Sequence, residues 1–466
     1  MKIGIFHYKI ASTDGVSLEI EKRVAILEEL GHEVVLLGGS FDRKVTQRKY
    51  EINDLNIDSE INRELINQSI KAENIDIGKF ESVFNEKVSS IENQLTEIFV
   101  IENFDLVIVH NIFSLPLLVW SAYALKKVID NLKIKTVCVN HDFYFEREYF
   151  FNSSNGKLKD ILSDIFPTGR NVAHEVINSL SATALLTHHG KESVVLGDYW
   201  DFGKVREEKD EYNSDFCDAN GINPNDIVIL QATRIVPRKA IEMAIYLSAV
   251  ISEKISKYEG HKINGKIITK ETKVVLVFSN YPHHVDSEDY FDNLLTLASN
   301  LGVKVVKAYE RISTQRGTIE GTKIYSFWDA YVFADVVTYP SVIEGFGNQF
   351  LEAVFYRKLI ALFEYDVFRE DIKKEGYWYV YLDEKWRREN NFYIFDNDKL
   401  KCAAENVLRI LTNENLLTEL TEFNFQSARD HHDIHLLKEY IEENYFGFRS
   451  KEVGAEKKEM FNFQTT

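Results

Sequence analysis

Only three cysteines occur in 466 residues, Cys138, Cys217 and Cys402, far apart and with no CxxC pair. That excludes a disulfide scaffold and a zinc ribbon, and suits a reducing cytoplasm. Basic charge is also short. Against 73 Asp and Glu stand 55 Lys and Arg, a formal net charge of −18. A nucleic-acid backbone or an anionic membrane surface would repel such a chain, so neither is expected as its main partner. A locally basic cleft remains compatible with this balance. No stretch approaches the roughly 20 apolar residues of a spanning helix. Met1-Lys2 leads into a short strand with no signal-peptide core. A cytoplasmic protein without stable membrane insertion is expected. The six prolines carry no functional message.

What is present is ample core material: 45% hydrophobic and 27% charged residues, enough for two or three domains. Ile3 to His7 is a short apolar run. Asp14-Gly15 follows, then apolar residues at helical spacing: Val16, Ile20, Val24, Leu27 and Leu30. Gly31 stops that helix, and Val34 to Leu37 reads as the next strand. Strand, glycine turn, helix, strand is a βαβ unit, and a parallel sheet follows from it. Residues 41–100 are polar, with helical spacing in pieces (Val88, Ile91, Leu95, Ile98), and read as a helical insertion. Three further runs read as strands with polar ends: Leu106 to Val109 before His110-Asn111, Thr136 to Val139 before Asn140-His141-Asp142, and Ala184 to Thr187 before His188-His189. In open α/β sheets ligands bind at that carboxyl edge.

Residues 201–225 are charged and lack apolar period, as a linker would. A second α/β pattern follows: strands at Ile227 to Leu230, Val274 to Phe278, Val303 to Val306 and Val336 to Tyr339, and a helix at Ala240 to Ile251. The fold class is α/β, with two Rossmann-like halves facing a cleft. Asp433 to Tyr445 has amphipathic period, and the chain from Lys451 is polar. The sequence sets no oligomeric state.

The most informative stretch runs from Thr338 through Glu344-Gly345-Phe346-Gly347-Asn348 to Glu352-Ala353. A buried strand enters a glycine turn, and a helix opens near Gly347. A helix N-terminus offers free N–H groups and partial positive charge to a diphosphate. Glu344 falls in the loop and Glu352 between one and two turns into the helix, so the two carboxylates reach different parts of one extended ligand. Acceptor-only carboxylates suit vicinal hydroxyls. The same spacing would serve a plain helix start with a solvent-facing Glu. The second motif, Arg234-Ile235-Val236-Pro237-Arg238-Lys239-Ala240, follows a strand directly. Arg234 and Lys239 on an exposed turn can neutralise a diphosphate leaving group. A merely solvated, charged turn is the alternative.

Together these motifs resemble the GT-B retaining glycosyltransferases of the large Glu-x7-Glu (family-4-like) group, which includes sucrose synthases and bacterial mannosyltransferases. The resemblance is specific from about Ile227 to Ile372 and is supported by Asp14-Gly15-Val16 and Gly31-His32-Glu33-Val34. It implies a GT-B fold whose last helix crosses back onto the first half. The implied domains are an acceptor-side domain over 1–205, a nucleotide-sugar domain over 206–430, and a crossover helix and tail over 431–466. It implies that Arg234 and Lys239 hold the donor diphosphate and that Glu344 contacts the donor sugar. Gly345, Phe346, Gly347 and Asn348 would offer backbone amides, Glu352 would bind the ribose, and Gly15 would face the donor or acceptor. A functional histidine is implied near His141, contacting the reacting sugar, with His110, Asn111 and Asp142 as acceptor-side candidates. The family usually has Gly where Ala240 stands, and a helix-opening Ala fits there sterically.

The implied function is transfer of a hexose from a nucleotide diphosphate sugar to a hydroxyl of a small soluble acceptor or glycan. Residues 104–116 and 140–148 look similar to those of enzymes that glycosylate small soluble acceptors, such as glucosylglycerate or sucrose-type solutes. No cofactor beyond the donor substrate is implied, and no DxD-like metal signature falls at a convincing site. The rival readings are a sugar-nucleotide epimerase or glycan phosphorylase on the same fold, or an inactive sugar-binding protein. A nicotinamide-dependent oxidoreductase is disfavoured, because no GxGxxG follows the first strand.

Overall fold

The computed structural model describes residues 1–12, 14–71, 75–147, 150, 153–281 and 285–446. Glu148 and the tail from Lys451 lie outside the described residues. The chain opens with β1 (Lys2–Ile10), α1 (Gly15–Glu29) and β2 (Glu33–Phe41). Asp14 starts α1 by accepting the Val16 and Ser17 amides at 3.0 Å, and Gly31 ends the turn after it at φ 79°.

The expected helical insertion begins instead as a strand, β3 (Arg48–Glu51), paired in parallel with β2. A four-residue polar edge strand shows no apolar run, so the sequence hides it. The segment ends in α2 (Ile77–Glu102), whose buried stripe includes Phe80, Phe84, Val88, Ile91, Leu95 and Ile98. This helix is the crossover that returns the chain to β4 (Leu106–His110). Next come α3 (Val119–Leu132), β5 (Thr136–Asn140), β6 (Val172–Val176), α4 (Ser179–His189) and β7 (Val194–Val195). The seven strands form one parallel sheet in the order β3-β2-β1-β4-β5-β6-β7.

One further reading of this half needs correction. The run Ala184 to Thr187 is not a strand but part of α4, started by the Asn178 side chain on the Ser181 amide (2.7 Å) and ended by Gly190 at φ 61°. Leu185 is buried while Leu180 and Leu186 face solvent, so the helix has no clean apolar stripe. The true strand β6 carries buried His174 and Glu175 in its middle, which breaks the apolar run.

The second half holds β8 (Ile227–Gln231), α5 (Glu242–Lys254), β9 (Val274–Phe278), β10 (Lys304–Val306), β11 (Val336–Tyr339), α6 (Asn348–Phe355), β12 (Leu359–Leu362) and β13 (Val380–Tyr381). Its parallel sheet runs β10-β9-β8-β11-β12-β13. The charged stretch 201–225 does not hang free. Phe202 and Phe216 are buried in the core of the second half, and Asn213 donates to Asp329 at 2.8 Å.

Helices α7 (Asn397–Leu411) and α8 (Glu414–His432) complete the second half, and α9 (Ile434–Phe446) crosses back to the first. Leu437, Ile441 and Tyr445 of α9 pack with Ile20, Val24 and Leu27 of α1. Buried Arg23 pins the crossing: its guanidinium lies 2.9 Å from Glu175 and bonds the Tyr445 hydroxyl, which donates to Glu175 at 2.8 Å.

Candidate active site

In the first sheet the strand order reverses at β1 and β4, in the second at β8 and β11. Crevices open at the carboxyl ends of strands at such switch points. Most residues singled out from the sequence sit at or beyond the end of a strand at or next to one of them. Gly15 follows β1, His110 ends β4 with Asn111 after it, and His141 and Asp142 follow β5. The Arg-Lys motif follows β8, and the Glu-Gly-Phe-Gly turn follows β11.

The two halves meet across this cleft. The Asn178 amide donates to the Gly345 carbonyl (2.6 Å), and the Ser179 amide to Asp371 (2.7 Å). A Cβ on Gly15 would stand 3.8 Å from the Asn348 side-chain nitrogen, so β1's turn faces the opening of α6. Phe346 is buried against Gly197 and edge-on to His432 at 5.2 Å, which leaves only its backbone for a ligand. At Gly347, φ is 152° and a Cβ would lie 2.5 Å from the Tyr365 hydroxyl, so this position requires glycine.

On the second half three cations gather. The expectation of an exposed turn holds for Arg234, which makes no ion pair among the described residues, but not for Lys239, which is buried. Lys239 pairs with Glu344. Arg238, which no sequence pattern marks, donates to the other Glu344 oxygen at 3.1 Å and to the Ile343 carbonyl at 2.7 Å. Burial pulls the Lys239 ammonium down to about 8, while Glu344 opposes that pull. Burial would raise Glu344, but Lys239 and Arg238 overcome it and hold the carboxyl at about 2. Both are therefore charged at neutral pH.

Ala240 does not open the helix. It ends the short turn Pro237–Lys239, two residues before α5, at φ 47°, a left-handed position that favours glycine. Glu352, one turn into α6, accepts from the buried Tyr331 hydroxyl at 2.7 Å, and burial raises it to about 7. Asp198, too, is marked by no sequence motif. Its carboxylate meets the Gly347 amide at the mouth of α6, and burial raises it to about 6.

On the first half the geometry reassigns two candidates. His110 is fully buried and Asn111 nearly so. They lie beneath His141 and Asp142 rather than open to an acceptor. Asn111 Oδ1 accepts the His141 and Asp142 amides at 2.8 and 3.1 Å, and His110 Nδ1 lies 3.1 Å from His141 Nε2. His141 and Asp142 are half-buried, and Asp142 pairs with Arg147 at 2.7 Å. His188 and His189 end α4, away from any strand edge.

Two parallel sheets facing each other across a cleft, with a last helix that crosses back, make a GT-B fold. Sucrose-phosphate synthase from Thermosynechococcus elongatus shares that fold, with a TM-score of 0.61 at 12% identity, covering 96% of this chain and 98% of that one. No protein-family profile matches the sequence. Two curated proteins do. The mannosylglucosylglycerate synthase of Petrotoga mobilis is 36% identical over 88% of this chain and 93% of its own length. The protein of the same name from Thermotoga maritima is 34% identical over 95% and 99%. The chain belongs to the family of these two enzymes and is a glycosyltransferase. Among the described residues no helix is long and apolar enough to cross a membrane.

Proposed function

We propose that the enzyme transfers a mannosyl unit, with retention of anomeric configuration, from a nucleotide diphosphate sugar to a hydroxyl of glucosylglycerate. The acceptor and sugar follow from the name shared by the two relatives. The observation that carries the chemistry is the convergence of Arg234, Arg238 and Lys239 near the mouth of α6, across from Gly15. An uncharged ligand has no use for three clustered cations, whereas a departing nucleotide diphosphate does.

In this reading the bond from anomeric carbon to phosphate oxygen breaks as the acceptor oxygen bonds to that carbon on the same face. The acceptor proton passes to the leaving phosphate. Arg234, Lys239 and the helix mouth stabilise the charge that develops there. Glu344 orients the sugar, and Glu352 accepts the ribose hydroxyls. Phe346 supplies backbone only, and Gly345, Gly347 and Asn348 border the phosphates. Closing of the cleft excludes water and limits donor hydrolysis. No resident cofactor or metal enters the scheme, and a cytoplasmic setting supplies both substrates.

The test is a donor and acceptor screen on the full chain: GDP-, UDP- and ADP-sugars, each with and without glucosylglycerate. Proton NMR of the anomeric region reads the product and its configuration. Formation of an inverted product, or no use of any mannosyl donor, would overturn the reading.

A further inference from the structure

The two histidines at the ends of β4 and β5 are in contact. Their rings are nearly parallel, 15° apart with centroids at 5.4 Å, and His110 Nδ1 lies 3.1 Å from His141 Nε2. One nitrogen of that pair must carry the proton. The choice is decided by the far side of His110. Its Nε2 is buried and has no partner among the described residues. A neutral imidazole carries one proton. If His141 Nε2 donated, the His110 proton would sit on that orphaned Nε2, a buried N–H with nothing to bond. If His110 Nδ1 donates, the orphan is only a bare lone pair. Buried unpaired N–H groups are the rarer defect. The proton therefore lies on His110 Nδ1.

His141 Nε2 is then an acceptor, and the His141 proton must be on Nδ1. That atom has no protein partner among the described residues and is not among the buried ones, so it is the edge left open. The backbone is fixed as firmly as the ring. Asn111, at φ 57°, accepts the His141 amide at 2.8 Å and donates to Asp142 at 3.1 Å. The His110 carbonyl is itself held by His7 Nδ1 at 2.9 Å.

We propose that His110 is a positioning residue that holds His141 as its Nδ1-protonated tautomer, so that His141 offers the substrate a hydrogen-bond donor and not a base. This rests on the reading of His141 as a contact to the transferred sugar. It deepens that reading by removing the side chain from proton transfer. The acceptor proton then goes to the leaving phosphate. Both rings stay neutral around pH 7, because burial lowers each. The groups whose charges bear on His141 are Glu19, Asp142, Arg23 and His7.

The experiment is a long-range proton–nitrogen spectrum of the full chain labelled at histidine nitrogens, with His141 signals assigned by their loss in His141→Gln. At pH 7 the wild type should show a protonated Nδ1 and a bare Nε2 on His141. His110→Phe keeps the stacked ring but cannot donate. It should give a tautomer mixture at His141 and a fall in kcat on the order of ten- to a hundredfold, with donor KM within about twofold. His110→Asn places an amide nitrogen near the position of Nδ1 and should restore both. A wild-type His141 protonated at Nε2 overturns the proposal without any variant. So does a tautomer left unchanged by His110→Phe, even if activity falls. Normal turnover by His141→Gln would instead remove the sugar-contact reading, a result independent of the spectrum.

Discussion

The Lys239 ammonium lies against the Glu344 carboxylate at the foot of the cleft, with side chains only 10% and 8% exposed. In the proposed reading, the cation that Glu344 holds is one that the diphosphate contacts. Arg234 lies close enough to lower Lys239 by its charge, yet stands exposed and without an ion pair among the described residues. Of the two cations proposed to hold the diphosphate, Arg234 is unpaired and Lys239 is paired, so they should respond differently to removal.

Arg234→Ala should lower kcat/KM by on the order of 10²-fold or more, since it removes charge stabilisation from the leaving group. Its melting temperature should barely move, because an exposed, unpaired side chain contributes within about 0.5 kcal/mol. Lys239→Ala should lose transfer and stability together. Breaking a buried pair from one side costs about 3 kcal/mol or more. Glu344→Gln should reproduce the stability loss, with a larger effect on kcat than on donor KM. Normal transfer by both cation variants would remove the clamp assignment.

Glu352 gives a pH prediction. Burial raises its carboxyl to about 7, and ribose hydroxyls need the ionised form as acceptor. Binding must therefore expel a proton below pH 7, and affinity should rise with pH between 6 and 8, by up to about tenfold per unit on the acid side. Calorimetry with an intact nucleotide sugar, which has no phosphate titrating in this range, reads it cleanly. Glu352→Gln should weaken binding and flatten the profile. An unchanged profile would refute the ribose role. In the free protein the sign is opposite: this group withdraws stability as pH rises from 4.5 towards 7.

The legible parts of this molecule were those where one strand's apolar run met a polar end. β1, β4, β5, β8 and β11 all follow that rule, and so the switch points and their loops could be placed. β3 and β6 could not. One is an edge strand too short and polar to read, and the other buries Glu175 for the sake of Arg23 and Tyr445, both distant in sequence. Burial was the second blind spot. Lys239 and His110 look like surface candidates in a sequence, and only packing shows that one is sunk in an ion pair and the other lies beneath His141. Arg238 was in view within the motif but has no spacing of its own to mark it. Asp198 reaches the Gly347 amide from the connection between the halves, which no local pattern announces.

His174 tests the first sheet from another side. It is buried against Phe166, its Nδ1 has no partner among the described residues, and burial pulls it to about 4. A histidine lowered in the folded state leaves the unfolded chain binding more protons, so its contribution is present above pH 6.5 and lost as pH falls towards 4. Raised carboxyls such as Glu242 and Asp198 act in the opposite sense. The difference between wild type and His174→Leu cancels them. That difference should shift in favour of the variant by about 2 kcal/mol between pH 7 and pH 5. Parallel unfolding curves at the two pH values would show the expected environment to be wrong.

The last prediction separates chemistry from packing at His141. The side chain is half-buried at the end of β5, supported from below by His110 and through its amide by Asn111. A group that only fills space there should cost stability when removed and leave turnover alone. A hydrogen-bond donor to the transferred sugar should matter most as that sugar separates from its phosphate, because a contact that tightens in the transition state is lost from kcat and not from ground-state binding. His141→Ala should therefore lower kcat by on the order of 10²-fold while donor KM changes by less than about threefold. The melting temperature, taken on the same preparation, should fall modestly: buried His110 loses its partner, at a cost of about 1–3 kcal/mol, while the Asn111 bond goes to the backbone and survives the substitution. Early melting with unimpaired turnover would make His141 a packing residue. The search for the sugar contact would then move to Asp142, which shares the same backbone clamp and lies half-buried beside it.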